Sequence, residues 1–153
     1  MKTQERSRRI LVHGLLLVMA GLICGFFVPQ TPYPRLALGA HIQLVSNGLL
    51  LVVMAVLLLA LPHRVGPKSA GVMLLAAWLT WGMGASEVAN AWWGTTQMLP
   101  IAAGLAGAKG GVAWHELVVK LTHVAAGLSL VAAWALLIVG FLKRPRATGE
   151  AVR

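Results

Sequence analysis

His41, Gln43 and Asn47 open a stretch that is otherwise aliphatic, and Glu87, Asn90, Lys120 and His123 recur inside two later stretches of the same kind. Polar side chains in such surroundings are costly and mark function. The residue types narrow the chemistry. No Ser-His-Asp order, nucleophile elbow or His-x-x-x-His zinc spacing is present. A carboxylate pair for acid–base work is also missing, because Glu116 lies four residues before Lys120, the favourable orientation for a helical ion pair. A single imidazole beside amides suits an axial haem ligand that leaves the iron open for Lewis-acid chemistry. A two-histidine electron-transfer haem, using His41 with His115 or His123, fits the spacing equally well.

The elements that must position these groups follow from hydropathy. The chain has 153 residues, 58% of them hydrophobic and 11% charged, and its mean hydropathy is +0.78. Those values exclude an ordinary soluble domain. Four apolar runs, Ile10–Val28, Leu36–Leu61, Ala70–Trp93 and Trp114–Leu142, are each long enough to cross a hydrocarbon core of about 30 Å. The expectation is one all-α integral membrane domain over residues 1–153, a four-transmembrane-helix bundle.

The formal charge of +9 is explained by its position. Lys2, Arg6, Arg8 and Arg9 precede the first run, Arg64 and Lys68 separate the second from the third, and Lys143, Arg144, Arg146 and Arg153 follow the fourth. The other two connections hold only Arg35 and Lys109. This positive-inside pattern predicts cytoplasmic N- and C-termini in a bacterial-type inner (cytoplasmic) membrane, with anionic lipid rather than nucleic acid as the partner of the basic ends. The first run has a basic start and an apolar core, but Pro29, Thr31, Pro32 and Pro34 follow without a small-x-small cleavage site, so it is read as a retained span. Cys24 is a small packing residue within it.

Read from their outer ends, the spans align their polar residues by depth. Asn47, Glu87, Lys120 and His123 fall about six to nine residues inside, at about 1.5 Å per residue. His41, Gln43, His115 and Glu116 lie nearer the outer surface, and the inner halves are nearly pure Leu, Val and Ala. Helical phase adds a second constraint. Thr80, Met83, Glu87 and Asn90 share one face, and Gln43 shares one with Asn47. His41 is rotated about 160° from Gln43 at about 100° per residue. One helix then serves two surfaces, its own bundle and a neighbouring subunit.

The connections differ in kind. Pro29–Pro34 and the Pro62 and Gly66-Pro67 segment make tight turns. Residues 94–113 form a longer Gly/Ala-rich connection that reads either as a flexible loop or as a lid over the outer face. Trp92, Trp93 and Trp114 bracket it as an interfacial aromatic belt, while Trp78 and Trp81 sit deeper, as bundle packing or as the wall of an aromatic pocket. His63 is a loop residue and His13 is remote from the polar cluster.

Two segments carry a family resemblance. Pro34-Arg35-Leu36 leading to Ala40-His41 and then Asn47-Gly48 resembles the second span of the hydroxylaminobenzene mutases and styrene oxide isomerases. Met98-Leu99-Pro100-Ile101-Ala102-Ala103-Gly104, followed by Ala113-Trp114-His115-Glu116-Leu117-Val118-Val119-Lys120, resembles the mutase branch, and His13-Gly14 the isomerase branch. The resemblance implies a trimeric membrane isomerase with haem b between subunits. His41 would then be the axial iron ligand and Asn47 the group that holds the substrate oxygen. From depth and helical phase, Gln43, Trp81, Asn90, Lys120 and His123 are the expected pocket residues. The isomerase branch carries an Asn and a Tyr one turn apart on the third span, where this sequence has Met83 and Glu87. That departure makes Glu87 a candidate for proton handling.

The reaction so implied is a redox-neutral rearrangement of a small hydrophobic aromatic substrate, arylhydroxylamine to aminophenol or aryl epoxide to aldehyde, with ferric haem as Lewis acid. The competing readings are a small membrane b-type cytochrome and a small proton-coupled exporter built on Glu87.

Overall fold

The computed structural model describes residues 2–143. Arg144, Arg146 and Arg153 of the basic C-terminal run lie outside the described residues. The elements are α1 (Lys2–Phe27), a 3-10 turn at Val28–Gln30, α2 (Pro34–Ala60), α3 (Pro67–Trp93), a short α4 (Pro100–Leu105) and α5 (Ala113–Leu142). The four long helices are 26 to 30 residues each, about 40 Å at 1.5 Å per residue. They are long and apolar enough to span a bilayer. Proline stands at the start of α2, α3 and α4, where its fixed φ suits the first turn and its missing N–H leaves no carbonyl unpaired.

Packing is pairwise. α1 runs along α2 and α5 along α3, while α3 also touches both α1 and α2. Helix α3 is therefore the inner element. It is also the least apolar of the four spans, because the polar residues concentrate on the helix best shielded from lipid. Ile10, Leu17, Leu51, Met54, Met73 and Leu137 are fully buried between the helices. The outward faces carry Leu15, Met19, Leu22 and Phe26 on α1 and Leu121, Leu128 and Val131 on α5, an apolar surface suited to acyl chains.

Without a hydrophobic drive between helices in lipid, close packing and polar contacts decide which faces meet. For α1 and α2 the device is glycine. A Cβ at Gly14 would lie 2.8 Å from the Gly48 carbonyl oxygen, and one at Gly48 the same distance from that of Gly14. A Cβ at Gly21 would lie 2.9 Å from the Val45 nitrogen. The backbones thus cross in contact along this seam. For α3 and α5 the device is polar. The hydroxyls of Ser86 and Thr122 are 2.7 Å apart, directly beside Glu87 and His123.

At the basic end, the Arg6 guanidinium donates to the Pro67 carbonyl and ties α1 to the start of α3. The α2–α3 turn also rests on the end of α5, with Arg64 N–H donating to the Gly140 carbonyl at 2.9 Å.

Glycine 48 offers a direct test. Gly48→Ala places its methyl group against backbone that cannot swing away, so the variant should lose about 1–3 kcal/mol of stability. Gly127→Ala meets nothing within 4 Å and should match the parent or exceed it by up to about 1 kcal/mol. Thermal unfolding of the two variants in one detergent compares them, and equal midpoints would contradict the close crossing.

Candidate active site

Three helices meet at one depth through a chain of polar contacts. His123 on α5 donates its Nδ1–H to the Val119 carbonyl at 2.7 Å. Its Nε2 lies 3.0 Å from Glu87 Oε1 on α3 and 3.3 Å from the Gln43 amide nitrogen on α2. Glu87 is 1% exposed and His123 is 6% exposed. With Nδ1 committed as a donor, Nε2 is the nitrogen that faces both the carboxylate and the Gln43 amide. Pairing acid and base reduces the cost of keeping them from water.

His41 points elsewhere. Its Nδ1–H donates to the Gly21 carbonyl of α1 at 2.7 Å. A Cβ at Gly25 would come within 3.0 Å of that nitrogen, so the absence of a side chain at 25 makes the cradle. Donation from Nδ1 fixes the tautomer and leaves Nε2 with its lone pair and no protein partner among the described residues, the arrangement metal-binding histidines use. Helix α2 therefore presents His41 towards α1 and Gln43 towards α5. Asn47, one turn beyond Gln43, is half-buried and makes no side-chain hydrogen bond among the described residues.

The other imidazoles are spoken for in different ways. The Trp81 indole N–H donates to His13 Nδ1 at 3.1 Å, and the His13 ring meets Trp78 edge-on with centroids 4.5 Å apart. His13, remote by sequence reasoning, is thereby tied to the aromatic residues of α3. His63 is a turn residue whose Nε2–H donates to Leu58 and whose Nδ1 accepts from the Val65 N–H. His115 stacks on Trp93 with centroids 4.3 Å apart and an interplanar angle of 3°, and its Nδ1 is buried and unpartnered. Both nitrogens of His123 face protein groups, Val119 and Glu87.

Two expectations are corrected. Glu116 is not paired with Lys120. Its Oε1 accepts the N–H groups of Thr96 and Gly111 at 2.9 and 3.2 Å, and its Oε2 accepts that of Gln97 at 3.0 Å. A carboxylate satisfied by three backbone donors has little left for an amine. Lys120 lies exposed on α5, away from the Glu87 group and without an ion-pair partner among the described residues. The 94–113 connection is consequently an ordered strap: Asn90 Oδ1 accepts from both the N–H and the hydroxyl of Thr95, and Gly110 N–H donates to the Gly94 carbonyl. Gly94 sits at φ 62°, packed so closely that a Cβ would strike the Tyr33 ring. Asn90 thus anchors the strap by its oxygen, and Met83 packs in the apolar core.

An apolar cleft of 510 Å³ lies between the outer halves of α1 and α3, walled by Cys24, Phe27, Trp81, Val88 and Trp92 and floored by Leu44 of α2. Trp81 is the one predicted pocket residue that lines it. The Gly21–Gly25 cradle and the strap function of Glu116 were missed from the sequence. The four-residue glycine spacing on α1 was the available signal for the first; nothing local announced the second.

Four long apolar helices around a buried acid, imidazole and amide are the architecture of a multi-pass membrane protein. The sequence profile of styrene oxide isomerase matches residues 6–142, and the chain belongs to that family. It is 29% identical over 141 residues to hydroxylaminobenzene mutase HabB of Ectopseudomonas oleovorans, covering 91% of this chain and 83% of that protein. It is 31% identical over 93 residues to hydroxylaminobenzene mutase HabA of the same organism, covering 60% of this chain and 67% of that one. No solved structure matches it significantly.

The strap gives a prediction of its own. Glu116→Ala strands three backbone N–H groups and should make residues 94–112 the first site of limited proteolysis. Lys120→Ala should leave both the cleavage pattern and the thermal midpoint unchanged, within about 0.5 kcal/mol. Equal protease resistance in Glu116→Ala would contradict the clasp.

Proposed function

We propose that this chain is a membrane mutase that rearranges an arylhydroxylamine to an aminophenol without net electron transfer, using haem b held by His41. The observation that carries the reading is the His41 imidazole. A helix carbonyl holds its Nδ1–H, a glycine gives it room, and its Nε2 lone pair is free. When bound, haem supplies a Lewis-acid iron that polarises a substrate oxygen. Asn47 offers an amide to hold that oxygen, and the apolar helices around the Glu87 group keep water away from a cationic intermediate. The relatives named as hydroxylaminobenzene mutases favour the hydroxylamine over an epoxide. So does the pair at Glu87, which can move a proton.

The two faces of α2 support a homotrimer. In one chain, His41 and the Gln43–Asn47 face look towards different helices, and a neighbouring copy would join one chain's His41 to the next chain's amides. The positive-inside pattern supports cytoplasmic termini in an inner membrane, with the whole chain working as one membrane domain.

Detergent-purified protein should elute as a trimer, show a Soret band and convert hydroxylaminobenzene to aminophenol. His41→Ala should abolish band and turnover together; full haem content in that variant would exclude His41 as ligand. Asn47→Ala should keep the band and lose about a hundredfold in turnover, the scale of removing one oxyanion donor. A low-spin, six-coordinate spectrum that also vanishes in His115→Ala would establish the cytochrome reading instead.

A further inference from the structure

Four buried polar atoms make no hydrogen bond at one level of the bundle, Gln43 Oε1, both Glu87 oxygens and Asn90 Nδ2. Glu87 Oε1 has the His123 Nε2 at ion-pair distance, which leaves Gln43 Oε1, Glu87 Oε2 and Asn90 Nδ2 with no partner of either kind. Glu87 and Asn90 are 1% and 0% exposed and stand one turn apart on α3, on the same face. Gln43 reaches the imidazole that Glu87 also approaches. Leaving such atoms unbonded away from water is costly. Two acceptors and one donor so grouped suit a small polar head that both gives and takes hydrogen bonds, as an N-hydroxylamine does. His123 is already turned away from this role, since Val119 and Glu87 Oε1 occupy its two nitrogens. The free atom of the ion pair is the second carboxylate oxygen.

The rearrangement contains a step that needs a proton carrier. The N–O bond breaks with its electron pair on the departing hydroxide, and that oxygen bonds to a ring carbon. This carbon then holds both hydrogen and hydroxyl, and the nitrogen has become an imine. Aromaticity returns when the C–H proton leaves, its electron pair closes the ring and the imine nitrogen gains a proton. The count balances with no oxidant or reductant, but one proton must pass from carbon to nitrogen. Opening an epoxide with a hydride shift has no such transfer.

Resting on the mutase reading above, we propose that Glu87 carries this proton: Oε2 takes it from the ring carbon and returns it to the nitrogen. His123 is a positioning residue that holds Oε1 and keeps Oε2 turned to the substrate. Gln43 steadies the imidazole from α2. A carboxylate restored at the end of each cycle fits a reaction with no net proton change, and a carrier enclosed by three helices does not lose its proton to water.

The test compares hydroxylaminobenzene with its ring-deuterated form on the haem-loaded trimer. Wild type should show a small isotope effect. Glu87→Gln should lose at least about a hundredfold in kcat, the usual scale of a general acid–base group. Its isotope effect should rise as C–H cleavage becomes limiting, with the Soret band and aminophenol affinity unchanged. Glu87→Asp retains a carboxylate and should recover part of the rate with a raised isotope effect, which covers the case in which the Gln variant fails to fold. His123→Gln should lower kcat and raise the isotope effect with little change in KM. Wild-type turnover in Glu87→Gln, or slow turnover without a ring isotope effect, overturns the assignment. Failure of the wild type to make aminophenol would instead overturn the mutase reading, and this assignment with it.

Discussion

An acid and a base locked together between apolar helices set the terms for the rest of this molecule. Glu87 and His123 are 3.0 Å apart and almost wholly buried, and removing either partner would leave the other without compensation in a low-dielectric interior. The contact therefore fixes which faces of α3 and α5 meet and at what depth, something apolar side chains in lipid do poorly, since acyl chains are as good a neighbour as leucine. Ser86 and Thr122, one residue away on each helix, reinforce the same register. Gln43 then brings α2 to the pair. The other seam, between α1 and α2, is set by glycines that let the backbones touch, with His41 donating to the Gly21 carbonyl at its edge. One half of the bundle is positioned by electrostatics and the other by shape.

Helix α2 belongs to both halves. Its His41 edge lies in the glycine seam and its Gln43 edge in the polar junction, so a shift of α2 would have to break both together. The constraint explains why polar residues crowd the first half of α2 while its second half is aliphatic: only the outer part stands opposite partners that can bond it. Below, α2 meets Leu, Met and Ala side chains, and a polar group there would have none.

Much of this was legible before any coordinates. Span lengths gave the four long helices, and the common depth of Glu87 and His123 anticipated their meeting. Gln43, placed nearer the outer surface, joins them in place of Asn47 and Lys120. Helical phase alone separated His41 from Gln43. What failed was pairing by proximity in sequence. The four-residue spacing of Glu116 and Lys120 promised an ion pair, yet three backbone N–H groups of a distant strap outcompete one flexible amine. A local rule could not see donors 19 and 20 residues upstream at Gln97 and Thr96. For the same reason the Gly/Ala-rich connection looked flexible, when its order comes from Glu116 and Asn90 on the helices that flank it. His13 stays apart from the polar junction, tied instead to Trp81 and Trp78.

By the family resemblance, Met83 and Glu87 stand where the isomerase branch would carry asparagine and tyrosine. Met83 packs into the apolar core. Glu87 is a group that can take up a proton, and His123 makes such a group tolerable within the bundle. Neutral amides and phenols can hold an oxygen, which is sufficient when a hydride simply moves between carbons. A reaction that must strip a proton from an aromatic carbon needs a base nearby, and in a bilayer a base survives only beside a partner that cancels its charge. On the proposed reading, the imidazole follows from the carboxylate, and the carboxylate from the chemistry. The same pair that sets the register of α3 on α5 would then set where the ring must lie to be rearomatised.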